Sequence, residues 1–486
     1  MIENNPPNQI PPEGENPDFI LDSIRKMKEA DVDWKSGKVW SLVYHADEEH
    51  DQLLRDAQNE LLGTNYLNPL AFKSLHRMEQ EVVRMTSHML HGDEHTVGVM
   101  TTGGSESILL AMLCYRERAG KYMPKIKKPE VVAPVTIHPA FDKAAGLFGL
   151  HLRKAAVDAD QSVMVEEMEK LINENTILLV ASAPSYPSGT LDPIEQVAEV
   201  AMRHKLPFHV DACIGGFMLP WVEKLGYPVP TWDFRVQGVT SISADVHKFG
   251  YGSKGASVIT YKNMAYLRHQ FFVTTDYPGG IYISPTLLGT RAGGPIAAAW
   301  ASMRHLGENG YMALASKLMD GVHELEKGFR EIPNIELVGK PVMNIISYTT
   351  TGNKPDIFIV ADQMESKGWM VERQQHPDCI HLTLLPTNVP GIDHYLNDLK
   401  DALTYAGEHP EDVSKGNAAL YGLISRIPFK GIVENNVRKI MEDMYGKSDG
   451  TGGGANFQRE DILPKQPAWM NGISRILSVW SRWKKK

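Results

Sequence analysis

Short apolar runs at 97–100, 131–135, 176–181, 206–210, 239–243 and 257–261 punctuate the first half of the chain. Between several of them the apolar residues recur at helical spacing, as at 163–172 and 194–204. Runs that stay apolar without strict alternation suit strands covered on both faces, and strands alternating with helices predict an α/β domain with a mostly parallel sheet. From about Met303 a long helical stretch leads to a second segment, where 335–338, 342–348 and 381–385 read as strands and 356–367 as a helix. The predicted organisation is an N-terminal arm and adjoining segment (1–60), a large domain (61–305), a small C-terminal αβ domain (306–447) and a Gly-rich linker with a basic amphipathic helix (448–486). No internal repeat is visible.

Composition narrows the class without naming it. A chain of 486 residues buries a large core, and a formal charge of −9 gives no global reason to expect nucleic-acid binding. Three dispersed cysteines, Cys114, Cys213 and Cys379, form neither a disulfide framework nor a zinc spacing, which suits a reducing cytoplasm. The first 17 residues, rich in Asn, Pro and Glu, read as an arm that orders against a partner subunit.

Three motifs carry chemistry. Thr102-Gly103-Gly104-Ser105 follows a strand and opens a helix, where free N–H groups and the positive end of the helix dipole favour a phosphate. A Gly-Gly-Ser turn that only caps a helix is commoner, and it is the residues further along that favour the phosphate. Asp211 ends an apolar strand, the edge at which open α/β sheets bind ligands. Lys248 lies in a segment rich in small residues and short of other charges, unusual for a lysine. Pyridoxal 5′-phosphate needs such a pair: an amine to form a Schiff base with its aldehyde, and a carboxylate to keep its pyridine nitrogen protonated. His138, after another strand, suits stacking on the pyridine ring.

The run from Ser241 to Gly255 (SISADVHKFGYGSKG) resembles the cofactor-lysine segment of sphingosine-1-phosphate lyases, as do HVDACIGGF (from His209), TTGGSES (from Thr101), DYPGGIYISP (from Asp276), GTRAGG (from Gly289) and GENGY (from Gly307). The similarity runs in order from about Gly37 to Tyr421. It implies the aspartate-aminotransferase-like PLP-dependent transferase fold, fold type I, in a homodimer with shared active sites. It assigns Lys248 as the Schiff-base lysine and Asp211 as the partner of the pyridine nitrogen. His138 would stack on the ring, and Gly104 and Ser105, with His247, would hold the phosphate. Lys254 and Tyr186 match further active-site positions, and Tyr44, Tyr282 and Arg291 match segments that line the substrate. Many members read Leu-His-Pro before an acidic residue where this chain reads Leu67-Asn68-Pro69-Leu70. Asn68 donates hydrogen bonds but carries no charge, so holding a substrate phosphate would lean on Lys254 and Arg291.

The implied reaction is cleavage of the C2–C3 bond of a phosphorylated sphingoid base, with Lys254, Tyr186, a water or the substrate phosphate as the base. An amino-acid α-decarboxylase shares the same fold, aspartate and lysine, and a non-catalytic protein on the same fold is a third reading. In the tail, glycines 450 and 452–454 read as a linker, and 473–486 as a basic amphipathic helix that either lies on an anionic membrane surface or docks on the protein.

Overall fold

The computed structural model describes residues 10–418, 421 and 430–446; the predicted linker and basic helix at 448–486 lie outside the described residues. Seven strands form the main sheet: β1 (Val97–Thr101), β2 (Glu130–Pro134), β3 (His151–Ala155), β4 (Thr176–Ser182), β5 (Phe208–Asp211), β6 (Val239–Ala244) and β7 (Ser257–Tyr261). Their order is β1-β7-β6-β5-β4-β2-β3. All pairings are parallel except those of β7, which runs antiparallel to β1 and β6.

Every residue of β4 is buried. Leu178 and Val180 face one apolar layer, with the helices Gly104–Tyr122 and Ala140–Phe148; Leu179 and Ala181 face the other, with the helices Lys73–Met89 and Ile194–Arg203. A period of two with both faces covered produces the continuous apolar runs seen in the sequence. The parallel register brings Ser182, Asp211 and Ser243 side by side at the strand ends.

A short hairpin, β8 (Phe272–Thr274) and β9 (Tyr282–Ser284), projects beyond the sheet. The helix Gly293–Glu331 then crosses the expected boundary at 305/306, with non-helical backbone at Gly307 (φ 54°). The small domain is a four-stranded antiparallel sheet of order β10-β11-β13-β12, made of β10 (Ile335–Val338), β11 (Ile345–Thr350), β12 (Glu372–Gln374) and β13 (Cys379–Thr383).

The segment after the N-terminal helix Pro17–Lys28 is pinned to this small domain. Met370 N donates to Lys38 O (2.9 Å) and Thr383 N to Trp40 O (3.2 Å), and Trp40 is buried against Trp369 and Tyr395. Gly37 has φ 78°, and a Cβ there would sit 2.7 Å from Thr387 O, so both the backbone and the close approach require glycine. This anchorage carries Ser41 and Tyr44 to the mouth of the cleft between the two sheets.

Candidate active site

The cleft is a cavity at the C-terminal ends of β4, β5 and β6, where open α/β sheets bind ligands. Asp211, His247, Lys248, Lys254, His138 and Tyr44 all line it, joined by Tyr186, Ser41 and Glu372. Asp211 is buried, and its Oδ1 accepts hydrogen bonds from Cys213 N (3.1 Å) and Ser243 Oγ (3.2 Å). Such bonds fix the carboxylate plane at the strand end.

Lys248 is held by Asp245, three residues earlier, with Nζ 2.9 Å from Oδ2. The Asp245 side chain is 1% exposed, its other oxygen has no hydrogen-bond partner, and His247 Nε2 stands 3.5 Å from Oδ2. Burial alone would raise the Asp245 pKa, but the Lys248 ammonium and His247 more than reverse it, so the carboxyl stays ionised. Burial likewise opposes the charge on Lys248, and Asp245 overrides it. Lys254 is poised differently. Its Nζ lies 4.7 Å from the centre of the Tyr44 ring and donates to His247 O (3.2 Å), and burial of the amine, with repulsion from Lys248, lowers its pKa to about 8. Burial pushes Tyr44 up to about 12.

Pyridoxal phosphate fits these residues. The helix Gly104–Tyr122 starts with no side-chain cap, so its first N–H groups remain available to a phosphate. Gly103 has φ 155°, and a Cβ on it would sit 3.1 Å from His247 Cε1. A Cβ on Gly104 would lie 2.6 Å from Asp245 Oδ2. The turn is therefore pressed against the lysine segment, and only glycines permit it. Ser105 is exposed at this helix start, and His138, exposed at the cavity, accepts from Ala140 N through Nδ1 (3.1 Å).

Three predicted site residues lie elsewhere in the chain. Asn68 is exposed and uses Oδ1 to accept from Leu70 N (3.0 Å), closing a turn. Tyr282 sits on the projecting hairpin, edge-on to Phe272. Arg291 is buried in an ion pair with Glu79 (2.6 Å), donates to Met100 O and lies over the Tyr66 ring. Breaking such a pair strands the partner's charge and typically costs about 3–5 kcal/mol, so in its own chain Arg291 ties the helix Lys73–Met89 to β1. Conversely, sequence reasoning passed over Glu372 and Ser41. A lone glutamate in a polar strand carries no local signal, and only the packing of the small domain brings it to the cavity.

A lysine, a strand-end carboxylate and a glycine-lined helix start within this α/β architecture define a pyridoxal-phosphate enzyme. The model of the pyridoxal-dependent decarboxylase conserved domain matches residues 2–351. Among curated relatives, sphingosine-1-phosphate lyase 1 of Rattus norvegicus is 38% identical over 447 residues, covering 91% of this chain and 78% of its own. The sphingosine-1-phosphate lyase of Arabidopsis thaliana is 40% identical over 435 residues, 88% of this chain and 79% of its own. The solved sphingosine-1-phosphate lyase of Burkholderia pseudomallei K96243 superposes with a TM-score of 0.79 at 38% identity, over 87% of this chain and 98% of its own. The chain belongs to the sphingosine-1-phosphate lyase family of pyridoxal-dependent enzymes. Glutamate decarboxylase of Lactobacillus brevis, at 20% identity and a TM-score of 0.72 over 83% of this chain and 96% of its own, shares the fold.

Proposed function

We propose that this protein cleaves the C2–C3 bond of a phosphorylated long-chain (sphingoid) base by retro-aldol chemistry, releasing a fatty aldehyde and phosphoethanolamine. One observation carries the reading: within a chain resembling these lyases over most of its length, Lys248, Asp211, Lys254, Tyr44 and His138 meet in a single cavity. When bound, pyridoxal phosphate supplies an aldehyde that links to amines and a protonated ring that draws electrons from C2. Lys248 is the amine that retains it, and Asp245 neutralises that amine whenever it is free. Asp211 would hold the proton on the ring nitrogen, and His138 would cover a ring face. Gly104 and Ser105 present N–H donors to the cofactor phosphate, with His247 beneath the turn. Lys254, charged in much of the population at neutral pH, receives the substrate phosphate beside Tyr44.

The lyase reading is favoured over the decarboxylase alternative by the relatives: sphingosine-1-phosphate lyases match at 38% and 40% identity over most of the chain, whereas the glutamate decarboxylase shares the fold at 20%. The reading is tested by incubating cofactor-loaded protein with dihydrosphingosine 1-phosphate and analysing products by mass spectrometry. Long-chain aldehyde and phosphoethanolamine are expected; failure to form either would refute it.

The same reading includes a homodimer. Phe272, Val273, Ile281 and Ile283 on and beside the hairpin are each more than half exposed, and the helix Pro17–Lys28 buries none of its residues. Apolar surface of this extent is normally covered by another chain. Asn68 and Tyr282 lie on this side and would serve the partner's cavity. Light scattering is expected to give twice the 54.2 kDa chain mass, and a monomer at micromolar concentration would sink the idea. We also place the enzyme in the cytoplasm, where three buried free cysteines suit reducing conditions, with membrane contact through 473–486. Liposome co-sedimentation unchanged by deleting 473–486 would exclude that contact.

A further inference from the structure

Glu372 is the least expected group in the cavity. It sits on β12, an edge strand of the small domain, yet its carboxylate is bound from two other parts of the chain. The Tyr186 hydroxyl donates to Oε2 (2.6 Å) and Ser41 Oγ donates to Oε1 (2.6 Å). Hydrogen bonds to a charged acceptor at this length are the stronger kind. Tyr186 is fixed from behind as well. Its ring packs on His381 at 4.4 Å between centroids, and His381 is buried, with its pKa lowered by burial and its nitrogens engaged by Thr383 Oγ1 (2.9 Å) and Ser347 Oγ (3.3 Å). Burial first, and then the Glu372 carboxylate, push the Tyr186 phenol well above its ordinary pKa, so it keeps its proton and directs it at Glu372.

A phenol has one hydrogen to donate. With that hydrogen committed to Glu372, the Tyr186 oxygen has only lone pairs to offer the cavity, and it can accept but not donate there. The proton to be taken in a retro-aldol cleavage is on the substrate's C3 hydroxyl. We propose that Glu372 is the positioning residue for this proton transfer, acting through Tyr186: it orients the phenol as an acceptor for the C3 hydroxyl and draws the phenol's own proton as the bond breaks. In that step the O3–H bond breaks and a new O–H bond forms at Tyr186, while the Tyr186 proton passes to Glu372. C3=O forms and C2–C3 breaks with its electron pair left on C2. The proton removed from O3 is balanced by the one later delivered to C2, so no other reactant is needed. This rests on the lyase reading above.

Glu372→Gln separates charge from shape. Glutamine fills the same space and still bridges Ser41 and Tyr186, but its amide can donate to the phenol, freeing Tyr186 to turn its hydrogen toward the substrate. With dihydrosphingosine 1-phosphate, kcat of Glu372→Gln is expected to fall about 100-fold, the scale of a lost acid–base contribution, with KM within about two-fold of wild type. Tyr186→Phe combined with Glu372→Gln should be no slower than Tyr186→Phe alone, since the two act as one unit. Unchanged kcat in Glu372→Gln, or losses that multiply in the double variant, would overturn the assignment. If wild type releases no aldehyde, it is the substrate reading that fails. The pair is then tested without substrate, by the ¹³Cζ chemical shift of labelled tyrosine at neutral pH, with Tyr186→Phe to assign the signal. Glu372→Gln should move the Tyr186 signal, because the phenol then stops donating to a carboxylate, and an unmoved signal would show that Glu372 does not hold its proton.

Discussion

Lys248→Ala protein, supplied with pyridoxal phosphate, is expected to lose aldehyde release by a factor on the order of 10,000 or more, the scale at which removing a residue of a covalent catalytic unit is felt. Cofactor should also be lost on dialysis, because without the Schiff base only non-covalent contacts would hold it. The ion pair with Asp245 adds a second, physical consequence. In wild type, Lys248 and His247 hold the Asp245 pKa below its unfolded value. A depressed carboxylate contributes stability that is fully present above the unfolded pKa of about 3.9 and is lost as pH falls toward the folded value. Without Lys248, burial is the dominant influence on a carboxylate whose side chain is 1% exposed, and the sign reverses. The folded pKa then lies above the unfolded one, the charge costs stability near neutral pH, and that cost fades as pH falls. With cofactor removed from both proteins, the variant should therefore melt below wild type at pH 7.5, with the gap narrowing as pH falls. A gap independent of pH would show that Lys248 does not neutralise Asp245.

The second large effect is expected at Asp211. Asparagine is nearly isosteric, and its Oδ1 can keep the bonds from Cys213 N and Ser243 Oγ, so strand β5 and the fold should be undisturbed. What is lost is the negative charge that retains a proton on the cofactor ring nitrogen. Without it the ring draws electrons poorly, and kcat should fall about 100- to 1,000-fold, comparable to removing a preorganised electrostatic partner from an active site. Cofactor should still be held through Lys248. Near-wild-type turnover in a folded, loaded Asp211→Asn protein would remove Asp211 from the mechanism.

Much of this arrangement was legible because the core strands are covered on both faces. Val239–Ala244 and Ser257–Tyr261 are wholly buried, and each is a short run bounded by turn residues. β3 escaped notice because it is an edge strand whose residues His151 and Lys154 face solvent, giving it neither an apolar run nor clean alternation. β12 is three polar residues, made a strand only by pairing with β13. The predicted strands at 342–348 and 381–385 are each displaced by two or three residues, since Asn344 and Leu384 fall in the connections and bond to one another there.

The site divides in the same way. Asp211 and Lys248 lie at strand ends in segments that carry their own signal. Glu372 and Ser41 depend on which side chains meet after the small domain docks and the N-terminal segment is anchored, information spread over more than three hundred residues of sequence. Arg291 shows the converse. A motif match placed it at the substrate, whereas within its own chain a buried glutamate from the helix Lys73–Met89 occupies its guanidinium.

The most direct test of the central claim is a competition assay on the cofactor-loaded enzyme, with dihydrosphingosine 1-phosphate and ¹³C-carboxyl glutamate present together. Equal amounts of long-chain aldehyde and phosphoethanolamine, with no labelled carbon dioxide, is the result this account requires. Labelled carbon dioxide without aldehyde would contradict it and make the chain a decarboxylase on the same fold.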